Sequence, residues 1–444
     1  MNRITMFWFI IVVALSCTKT GNLQVNSNPP GAAIYLDGDS TGYVTNHLFE
    51  DLYAGLHHLK FTFSSYLEWE DTFTLRKNLT TTIEVEFPEL KWKFQSEASS
   101  LSAPAIGDDG TVYITSSDYL FAIDSTGNLK WQYAITSEYY YSPPAISEDG
   151  TIYLETAYYL YAINSDGTLK WQYTFDGDVS VEGLAIGADG TIYAGKSTTL
   201  YAFDTDGSIK WQFPFNYTTG SAYSAPVIDN STIYIQTESY LCAINDDGSL
   251  KWRYELEYTY YHNTALAIGS DGSIYTTTRA YLYAINVDGT LKWKLELTNE
   301  DYYHDMSPVS IGDNGMLYCG VGEYFYSVSP DGEINWSRSL ESYSYGWNSP
   351  AISDIGTIYV GVNNYLICAK SDGFLNWKLN SGYYHTPSAP TIGNNNTVYA
   401  GTSNGLYAFK TTDNLANSSW PMFQHDAKHT GRTNLKKGGE KINY

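Results

Sequence analysis

The chain is poor in cysteine, and the cysteines that it has are scattered. Of four cysteines in 444 residues, Cys242, Cys319 and Cys368 fall in three different repeats, and in three different columns, of the pattern described below. A disulfide needs Cα atoms within roughly 7 Å of each other, so these thiols are expected to lie too far apart to pair. We therefore predict small buried side chains at these positions, and neither a disulfide framework nor a metal site.

Positive charge and helical patterning are also scarce. The chain has 25 Lys and Arg residues against 48 Asp and Glu residues, and its formal net charge is −23. Such a chain repels phosphate backbones, which argues against nucleic-acid binding and favours cationic partners. No stretch after residue 21 shows sustained helical periodicity, which leaves strands as the main element.

The N terminus carries a short apolar run, from Ile4 to Leu15, which is too short to span a bilayer comfortably as a permanent helix. It follows a basic start and leads into Val13-Ala14-Leu15-Ser16-Cys17, which resembles a bacterial lipobox. The resemblance implies a signal peptide over residues 1–16, a lipid on Cys17 and a tether over residues 17–21. An ordinary signal peptide is the alternative. Because Thr18 follows the cysteine, the same resemblance favours the outer membrane, facing the periplasm or the cell surface.

A repeat dominates the rest of the chain. Tryptophans recur 39 to 43 residues apart, and most close a motif of the form Leu-Lys-Trp. They are Trp92, Trp131, Trp171, Trp211, Trp252, Trp293, Trp336, Trp377 and Trp420. Each interval also holds a run of the form Thr-Ile-Tyr, whose tyrosines are Tyr113, Tyr153, Tyr193, Tyr234, Tyr275, Tyr318, Tyr359 and Tyr399.

Each interval contains four short runs separated by turns such as Asp109-Gly110. Alternating β-branched and aromatic residues fit a pleated surface, and Asp-Gly supplies the positive φ angles of tight hairpins. Four short antiparallel strands repeated eight times are typical of propeller blades, which must stack because one blade cannot bury both of its faces. The sequence therefore predicts an all-β chain with an eight-bladed β-propeller over residues 89–434 and a polar tail over residues 435–444.

This repeat resembles the pyrroloquinoline-quinone-type propeller family, over about residues 90 to 434. In that family the tryptophan of the outer strand docks between blades. Quinoprotein alcohol dehydrogenases of this fold use adjacent cysteines, a calcium site and a catalytic Asp. Adjacent cysteines are absent from this sequence, and we match no calcium triad to its repeats, so we predict no cofactor and no pyrroloquinoline quinone.

Nine tryptophans meet eight blades, so one of them is spare. We predict that Trp92 supplies the outer strand of the last blade and closes the ring, with Trp420 as the alternative. The segment from Trp420 to Arg432 looks like one that is common in such propellers, and we place it on the last blade.

Residues 22–88 lack the repeat. Asn28-Pro29-Pro30-Gly31-Ala32, Tyr35-Leu36-Asp37-Gly38 and the strand-like runs to Phe87 resemble the PEGA domain, a small β-sandwich of bacterial surface proteins. The resemblance implies an adhesion or scaffold spacer rather than a catalytic unit. Because only Thr18 to Gly21 separate this module from Cys17, we expect it to lie close to the membrane.

Aromatic residues crowd the segments that link each outer strand to the next inner strand, and such loops share one face of a propeller. Rigid amphipathic rings suit peptide and sugar sites, although padding between blades would use the same residues. Three Tyr-Tyr-His motifs lie among them, and we predict face residues there rather than a metal site. The candidate binding face comprises Tyr139, Tyr140, Tyr141, Tyr217, Tyr223, Tyr260, Tyr261, His262, Tyr302, Tyr303, His304, Tyr345, Trp347, Tyr383, Tyr384 and His385.

Together these features predict a non-catalytic protein of the cell envelope. A membrane would hold it through the lipid on Cys17, and its aromatic face would bind a protein or peptide partner. In propeller and anchoring it resembles the propeller lipoproteins of the outer-membrane β-barrel assembly machinery. A surface glycan-binding protein is the first alternative, and a periplasmic quinoprotein dehydrogenase is the second.

Overall fold

The computed structural model describes residues 20–64, 66–96, 100–136, 141–176, 183–215, 224–257, 265–278, 281–297, 306–340, 346–382 and 386–433. The chain divides into two compact units, with the boundary between Phe87 and Pro88. The predicted signal peptide, Cys17 and the polar tail over residues 435–444 lie outside the described residues.

The first unit is a sandwich of two sheets. One sheet has the order β4-β1-β7 and the other contains β3-β2-β5-β6. Side chains of β1 alternate between half-buried and buried, and Leu23, Phe61 and Trp69 lie in the core. Its strands are β1 (Thr20–Asn28), β2 (Ala33–Leu36), β3 (Asp39–Val44), β4 (His47–Tyr53), β5 (Gly55–Phe63), β6 (Leu67–Leu75) and β7 (Thr80–Glu86).

The predicted tether over residues 17–21 is too long. Thr20 and Gly21 already belong to β1, where they pair with Tyr53 and Leu52 of β4. Pairing with β4 places both residues in the sheet. Thr20 is β-branched and favours strands, whereas Gly21 does not.

The second unit begins with a single strand, continues in seven groups of four strands and ends in a group of three, and each group is hydrogen bonded as an antiparallel meander. The first half comprises β8 (Glu89–Phe94), β9 (Ala105–Ile106), β10 (Val112–Thr115), β11 (Tyr119–Ile123), β12 (Leu129–Ala134), β13 (Ala145–Ile146), β14 (Ile152–Glu155), β15 (Tyr159–Ile163), β16 (Leu169–Thr174), β17 (Leu184–Ile186), β18 (Ile192–Lys196), β19 (Thr199–Phe203), β20 (Ile209–Pro214), β21 (Val227–Asp229), β22 (Thr232–Gln236), β23 (Tyr240–Asn245) and β24 (Leu250–Glu255).

The same pattern continues to the last strand. The second half comprises β25 (Ala267–Ile268), β26 (Ile274–Thr277), β27 (Tyr281–Ile285), β28 (Leu291–Glu296), β29 (Ser310–Ile311), β30 (Leu317–Val321), β31 (Tyr324–Val328), β32 (Ile334–Ser339), β33 (Ala351–Ile352), β34 (Ile358–Val362), β35 (Tyr365–Ala369), β36 (Leu375–Asn380), β37 (Thr391–Gly393), β38 (Thr397–Thr402) and β39 (Gly405–Lys410). These strands are the predicted blades of an all-β propeller.

Trp92 closes the ring, as the sequence predicts. Its strand β8 pairs antiparallel with β39, so the last blade has the order β37-β38-β39-β8. Trp92 also packs against Tyr399 of that blade, with ring centroids 5.7 Å apart. Buried residues of the last blade and the first, among them Leu406 and Ile114, form one apolar cluster. The closure therefore joins the two ends of the repeat by both backbone and core contacts.

Seven of the eight outer tryptophans dock on the next blade, at the turn between that blade's third and fourth strands. The Trp131 Nε1 donates to the Ser165 carbonyl at 3.0 Å, and Trp92, Trp171, Trp211, Trp252, Trp293 and Trp336 make the equivalent bond. The Asp-Gly turns leave room for this contact. At Gly167 φ is +88°, and a Cβ atom there would lie 2.7 Å from the Trp131 ring. Trp377 is the exception: it packs on Phe409, with centroids 5.7 Å apart.

Trp420 has a different place from the one predicted. It belongs to no strand and is fully buried. The segment after β39, residues 411–433, does not lie on the last blade alone. We call it the C-terminal tail. Its backbone carbonyls accept from the first strands of six blades, and His429 lies within 3.4 Å of the Thr391 hydroxyl in the first strand of the last blade. Ser418 and Ser419 precede Trp420 where the repeat has Leu-Lys, so this segment lacks the motif that forms an outer strand.

The tail satisfies backbone groups along the free edges of these first strands, which lie close to those of neighbouring blades. In each case the amide of an isoleucine donates to a tail carbonyl: Ile106 to Ala427 at 2.7 Å, Ile146 to Lys428 at 2.9 Å, Ile186 to Thr430 at 2.8 Å, Ile228 to Gly431 at 2.7 Å, Ile311 to Trp420 at 2.7 Å and Ile352 to Pro421 at 2.9 Å.

In the part of the chain that the structure describes, no helix has the length and apolarity to cross a membrane.

Candidate binding face of the propeller

The predicted binding face lies mostly outside the described residues. Each of the eight links from an outer strand to the next first strand includes positions that the structure does not describe. Tyr141 and Trp347 are described. The candidates outside the described residues are Tyr139, Tyr140, Tyr217, Tyr223, Tyr260, Tyr261, His262, Tyr302, Tyr303, His304, Tyr345, Tyr383, Tyr384 and His385.

The described ends of these links show which end of the propeller they reach. Tyr141 forms an isolated antiparallel bridge with Thr156, and Trp347 forms one with Val362. Val362 is the last residue of the second strand of its blade, and Thr156 directly follows the second strand of its own, in both cases just before the third strand. The links and the turns between second and third strands therefore share one end of the propeller.

Tyr141 is half-buried and joins two blades. Its hydroxyl donates to the Ser100 carbonyl of the preceding blade at 3.1 Å, and its ring packs on the core between those blades. Burial raises the pKa of its hydroxyl. Tyr141 thus combines packing between blades with partial exposure at the predicted face.

Trp347 is buried, which corrects its placement on an exposed face. Only 1% of the side chain is accessible, and its Nε1 donates to the Gly322 carbonyl at 2.8 Å. The ring covers Gly320, where a Cβ atom would lie 2.3 Å from it. Removing an apolar ring from water stabilises the folded state, so Trp347 is a core residue.

Sequence analysis missed a second set of tyrosines at this end. In six blades the third strand starts with a tyrosine, directly after the turn from the second strand. None of the six is fully buried, and Tyr324 is 46% exposed. We call this end the tyrosine face, after Tyr119, Tyr159, Tyr240, Tyr281, Tyr324 and Tyr365. The repeated first position of the Tyr-Leu-Tyr-Ala-Ile run was the available signal.

Charged groups accompany these rings. The Lys294 Nζ lies 3.6 Å from the Tyr281 ring centroid, and the Lys378 Nζ lies 4.5 Å from that of Tyr365. Such cation–π contacts fix the faces of the rings. Acidic residues stand next to other members of the set, as Asp118 does beside Tyr119 and Glu323 beside Tyr324. The tyrosine face therefore offers ordered amphipathic rings flanked by both signs of charge.

A buried polar layer supports the second strands beneath this face. The Ser142 Oγ accepts from the Glu155 amide at 2.9 Å, and the Ser224 Oγ accepts from the Gln236 amide at 2.9 Å. Glu155 and Gln236 are themselves fully buried. These serines belong to the run that begins each blade, so the repeat holds the start of the first strand against the end of the second.

The tail covers the opposite end, which we call the tail face. The isoleucines that donate to the tail stand at or near the ends of their first strands, just before the turns to the second strands. Basic tail residues meet acidic turns there: the Lys428 Nζ lies 2.7 Å from the Asp108 Oδ2, and the Arg432 Nη2 lies 2.8 Å from the Glu148 Oε1. The tail thus pairs with both the backbone and the charges of this end.

Two titratable groups organise the tail internally. Asp426 accepts from the amides of Lys428 and Thr430, each at 3.0 Å. Burial opposes ionisation of Asp426, but His425 and Thr430 outweigh it and hold the pKa of this carboxyl below its usual range. Burial lowers the pKa of His429 to about 4. Its Nδ1 lies 3.1 Å from the Pro144 carbonyl, so a neutral imidazole with a proton on Nδ1 fits this position.

The three described cysteines are buried and free, as predicted. Burial raises the pKa of Cys242 and of Cys319 to about 12, and burial also raises the pKa of Cys368. These thiols therefore stay protonated at neutral pH and act as small apolar side chains.

The strand order, the docked tryptophans and the closure through β8 define a closed β-propeller protein with an N-terminal sandwich unit. The chain belongs to the family of the outer membrane protein assembly factor BamB, whose model matches residues 88–181 and 175–317, together just over half of the chain. A second model, the PEGA domain, matches residues 20–91.

Solved structures of three propeller-like proteins are similar to the chain. BamB from Moraxella catarrhalis is 19% identical, with 66% of this chain and 88% of that one covered and a TM-score of 0.49. A streptogramin B lyase is 14% identical, with 65% and 96% covered and a TM-score of 0.47. A virginiamycin B lyase from Staphylococcus aureus is 14% identical, with 60% and 94% covered and a TM-score of 0.48. No curated protein matches the chain in sequence.

Proposed function

We propose that this protein is a non-catalytic component of the cell envelope that holds a protein or peptide partner on the tyrosine face of its propeller. The observation that carries the proposal is the repeated tyrosine at the start of the third strand in six blades. Tyrosines that are rigid, amphipathic and partly exposed are enriched where proteins bind one another. The tail lies against the other end, whereas these six tyrosines are partly exposed at this one.

The family supports a partner of a particular kind. Its name refers to outer membrane protein assembly, so we propose a protein partner in that process, presented as an extended or basic segment. Such a segment suits the chain's net charge of −23 and the acids beside Tyr119 and Tyr324. We also propose that a lipid on Cys17 anchors the chain in the outer membrane.

Paired variants test the partner. Tyr119→Ser with Tyr324→Ser removes two exposed rings of the tyrosine face, and Leu291→Ser is the control, because Leu291 is 43% exposed and begins a fourth strand, after a turn on the tail face. We expect the double variant to capture its partner from solubilised envelope at least about 10-fold less well. The control is expected to capture it as the wild type does.

Three results would contradict the proposal. These are capture that is unaffected by the double variant, selective binding to a glycan array without protein capture, and turnover of an alcohol or sugar with added pyrroloquinoline quinone, calcium and a dye acceptor.

The proposed lipid anchor is tested separately. The mass of the N-terminal peptide reports a lipid on Cys17, and Cys17→Ser is expected to release the chain from the membrane.

A further inference from the structure

One end of the first unit gathers the start of β1, the end of β4, the start of β5 and the turn between β6 and β7. Thr20 pairs with Tyr53, and the Thr20 carbonyl accepts from the Asn78 amide at 2.8 Å. The Asn22 amide donates to the Leu79 carbonyl at 2.9 Å. We call this the chain-start end, and it comprises Thr20, Tyr53, Leu56 and residues 76–79.

Large apolar side chains are exposed to solvent at this end. Tyr53 is 72% exposed and Leu56 is 73% exposed, more than any other large apolar side chain among the described residues, and Leu79 is also exposed. The backbone that carries Tyr53 is held in place, because the His57 Nε2 lies 2.7 Å from the Tyr53 carbonyl and the His57 Nδ1 lies 2.8 Å from the Asp37 Oδ2. Exposed apolar side chains gathered at one end of a unit mark an interaction surface.

Basic residues stand beside this cluster. Arg76 and Lys77 are exposed in the turn that Leu79 completes, in a chain whose net charge is −23. Gly21 packs tightly against this turn, since a Cβ atom there would lie 2.3 Å from the Arg76 carbonyl oxygen. An acid is also present at this end, since Asp51 accepts a hydrogen bond from the Thr20 hydroxyl at 3.3 Å. Aromatic and aliphatic side chains beside Arg and Lys are the combination that the surface of an anionic bilayer favours.

We propose that the chain-start end docks on an anionic phospholipid bilayer, with Tyr53, Leu56 and Leu79 among the headgroups and Arg76 and Lys77 at the phosphates. The choice of a bilayer rests on the lipid anchor proposed above. Cys17 precedes Thr20 by three residues, which span at most about 10 Å, so a lipid on Cys17 would bring this end to the membrane surface. The acyl chains would hold the protein there, and the apolar cluster would fix the orientation of the first unit.

Vesicle flotation of the unlipidated chain tests the surface without the anchor. A chain that starts at Thr18 keeps every described strand and lacks the proposed lipid site. We expect it to float with vesicles of phosphatidylglycerol and phosphatidylethanolamine, and to bind phosphatidylcholine vesicles more weakly. Tyr53→Ser with Leu56→Ser is expected to lower the bound fraction at least about 10-fold, and Arg76→Gln is expected to lower it less and only with anionic vesicles.

Val44→Ser is the matched control. Val44 is 53% exposed on the same unit, but it pairs with Ala33, which pairs with Thr62 near the far end of β5. Leu56 lies six residues away along that strand, roughly 20 Å. Unchanged flotation of Val44→Ser, together with unchanged unfolding midpoints for all variants, would support the chain-start end as the lipid-binding surface.

Several results would overturn the proposal. They are absence of flotation by the wild type, equal loss in Val44→Ser, equal binding to phosphatidylcholine vesicles, and a wild-type dimer that Tyr53→Ser with Leu56→Ser converts to a monomer. The last result would assign the surface to a second copy of the chain. Capture by the tyrosine face and the mass of the Cys17 peptide are measured separately, so failure here is distinguishable from failure of the proposed function.

Discussion

The two faces of the propeller are built from the same repeat, but they differ in what covers them. At the tail face, isoleucines of six blades donate to one segment that lies outside the repeat. At the tyrosine face, the third strands of six blades each begin with a tyrosine. In a ring built only from repeats, every blade contributes the same turns to each end. Here one segment outside the repeat binds to one end, so the two ends differ in their contacts. Substitutions at the tail face should therefore change stability, while those at the tyrosine face should change binding.

The largest loss of stability is expected from substitution of Trp420 in the tail. Trp420→Ala should lower the free energy of unfolding by about 3–5 kcal/mol, because the ring is fully buried and the carbonyl of the same residue accepts from Ile311. Chemical denaturation would measure the change, with the exposed Leu291→Ala as a control that shifts by less than about 0.5 kcal/mol. Equal values for the two variants would show that the tail is not part of the core.

Acid should lower the free energy of unfolding through His429 of the same tail. The pKa of His429 is about 4 in the folded chain against 6.5 for an unperturbed histidine, so the unfolded state binds a proton more readily. The stability contributed by neutral His429 is then complete above pH 6.5 and is lost as the pH falls from 6.5 towards 4. The loss across that window should reach roughly 3 kcal/mol. His429→Gln is expected to remove that part of the pH dependence of unfolding, and an unchanged profile would contradict the assignment.

A smaller effect is expected at the turns of the tail face, where two glycines form a matched pair. Both have positive φ, but a Cβ atom on Gly167 would meet the Trp131 ring at 2.7 Å, whereas on Gly150 the nearest atom would be 3.9 Å away. Gly150→Ala should cost about 1 kcal/mol from backbone strain alone. Gly167→Ala should cost about 2–3 kcal/mol, because the docked ring must also move. Equal unfolding midpoints for the two variants would mean that the tryptophan contact contributes nothing.

The smallest change in stability is expected at the tyrosine face. Tyr324→Ser should alter the free energy of unfolding by less than about 0.5 kcal/mol, because nearly half of the side chain is exposed. Thermal denaturation would measure this beside the partner capture described above. A loss of several kcal/mol would place Tyr324 in the core, and the contrast between the two faces would fail at this blade.

Residues that repeat were predictable from the sequence. The spacing of tryptophans and tyrosines gave the strands and the last blade, because each blade solves the same packing problem and each Trp meets a Tyr of its own blade, as Trp131 meets Tyr113 at 5.8 Å. The closure by Trp92 followed from counting outer strands against tryptophans. A regular pattern of this kind encodes the fold many times over.

Features that occur once were not predictable. In the sequence Trp347 does not differ from other aromatic residues of the links. Its burial depends on Gly320, which has no side chain and so leaves space for the ring. The tail shares no motif with the blades, and its bonds use backbone carbonyls, which carry no sequence signal. The candidate face was inferred from composition, which shows where rings are plentiful but not which rings a neighbouring blade covers, as Tyr141 illustrates.

The pairing of β8 with β39 has a consequence for biogenesis. The strand that completes the last blade is made more than 300 residues before its partner, since Trp92 faces Ala408. During synthesis the hydrogen-bonding edge of β8 stays unpaired while the seven other blades form, and an exposed strand edge is a template for wrong pairing. Long-range pairing of this kind also slows folding. The assembly of the ring is therefore most vulnerable just before β39 emerges, when a nearly complete ring still lacks the partner strand of β8.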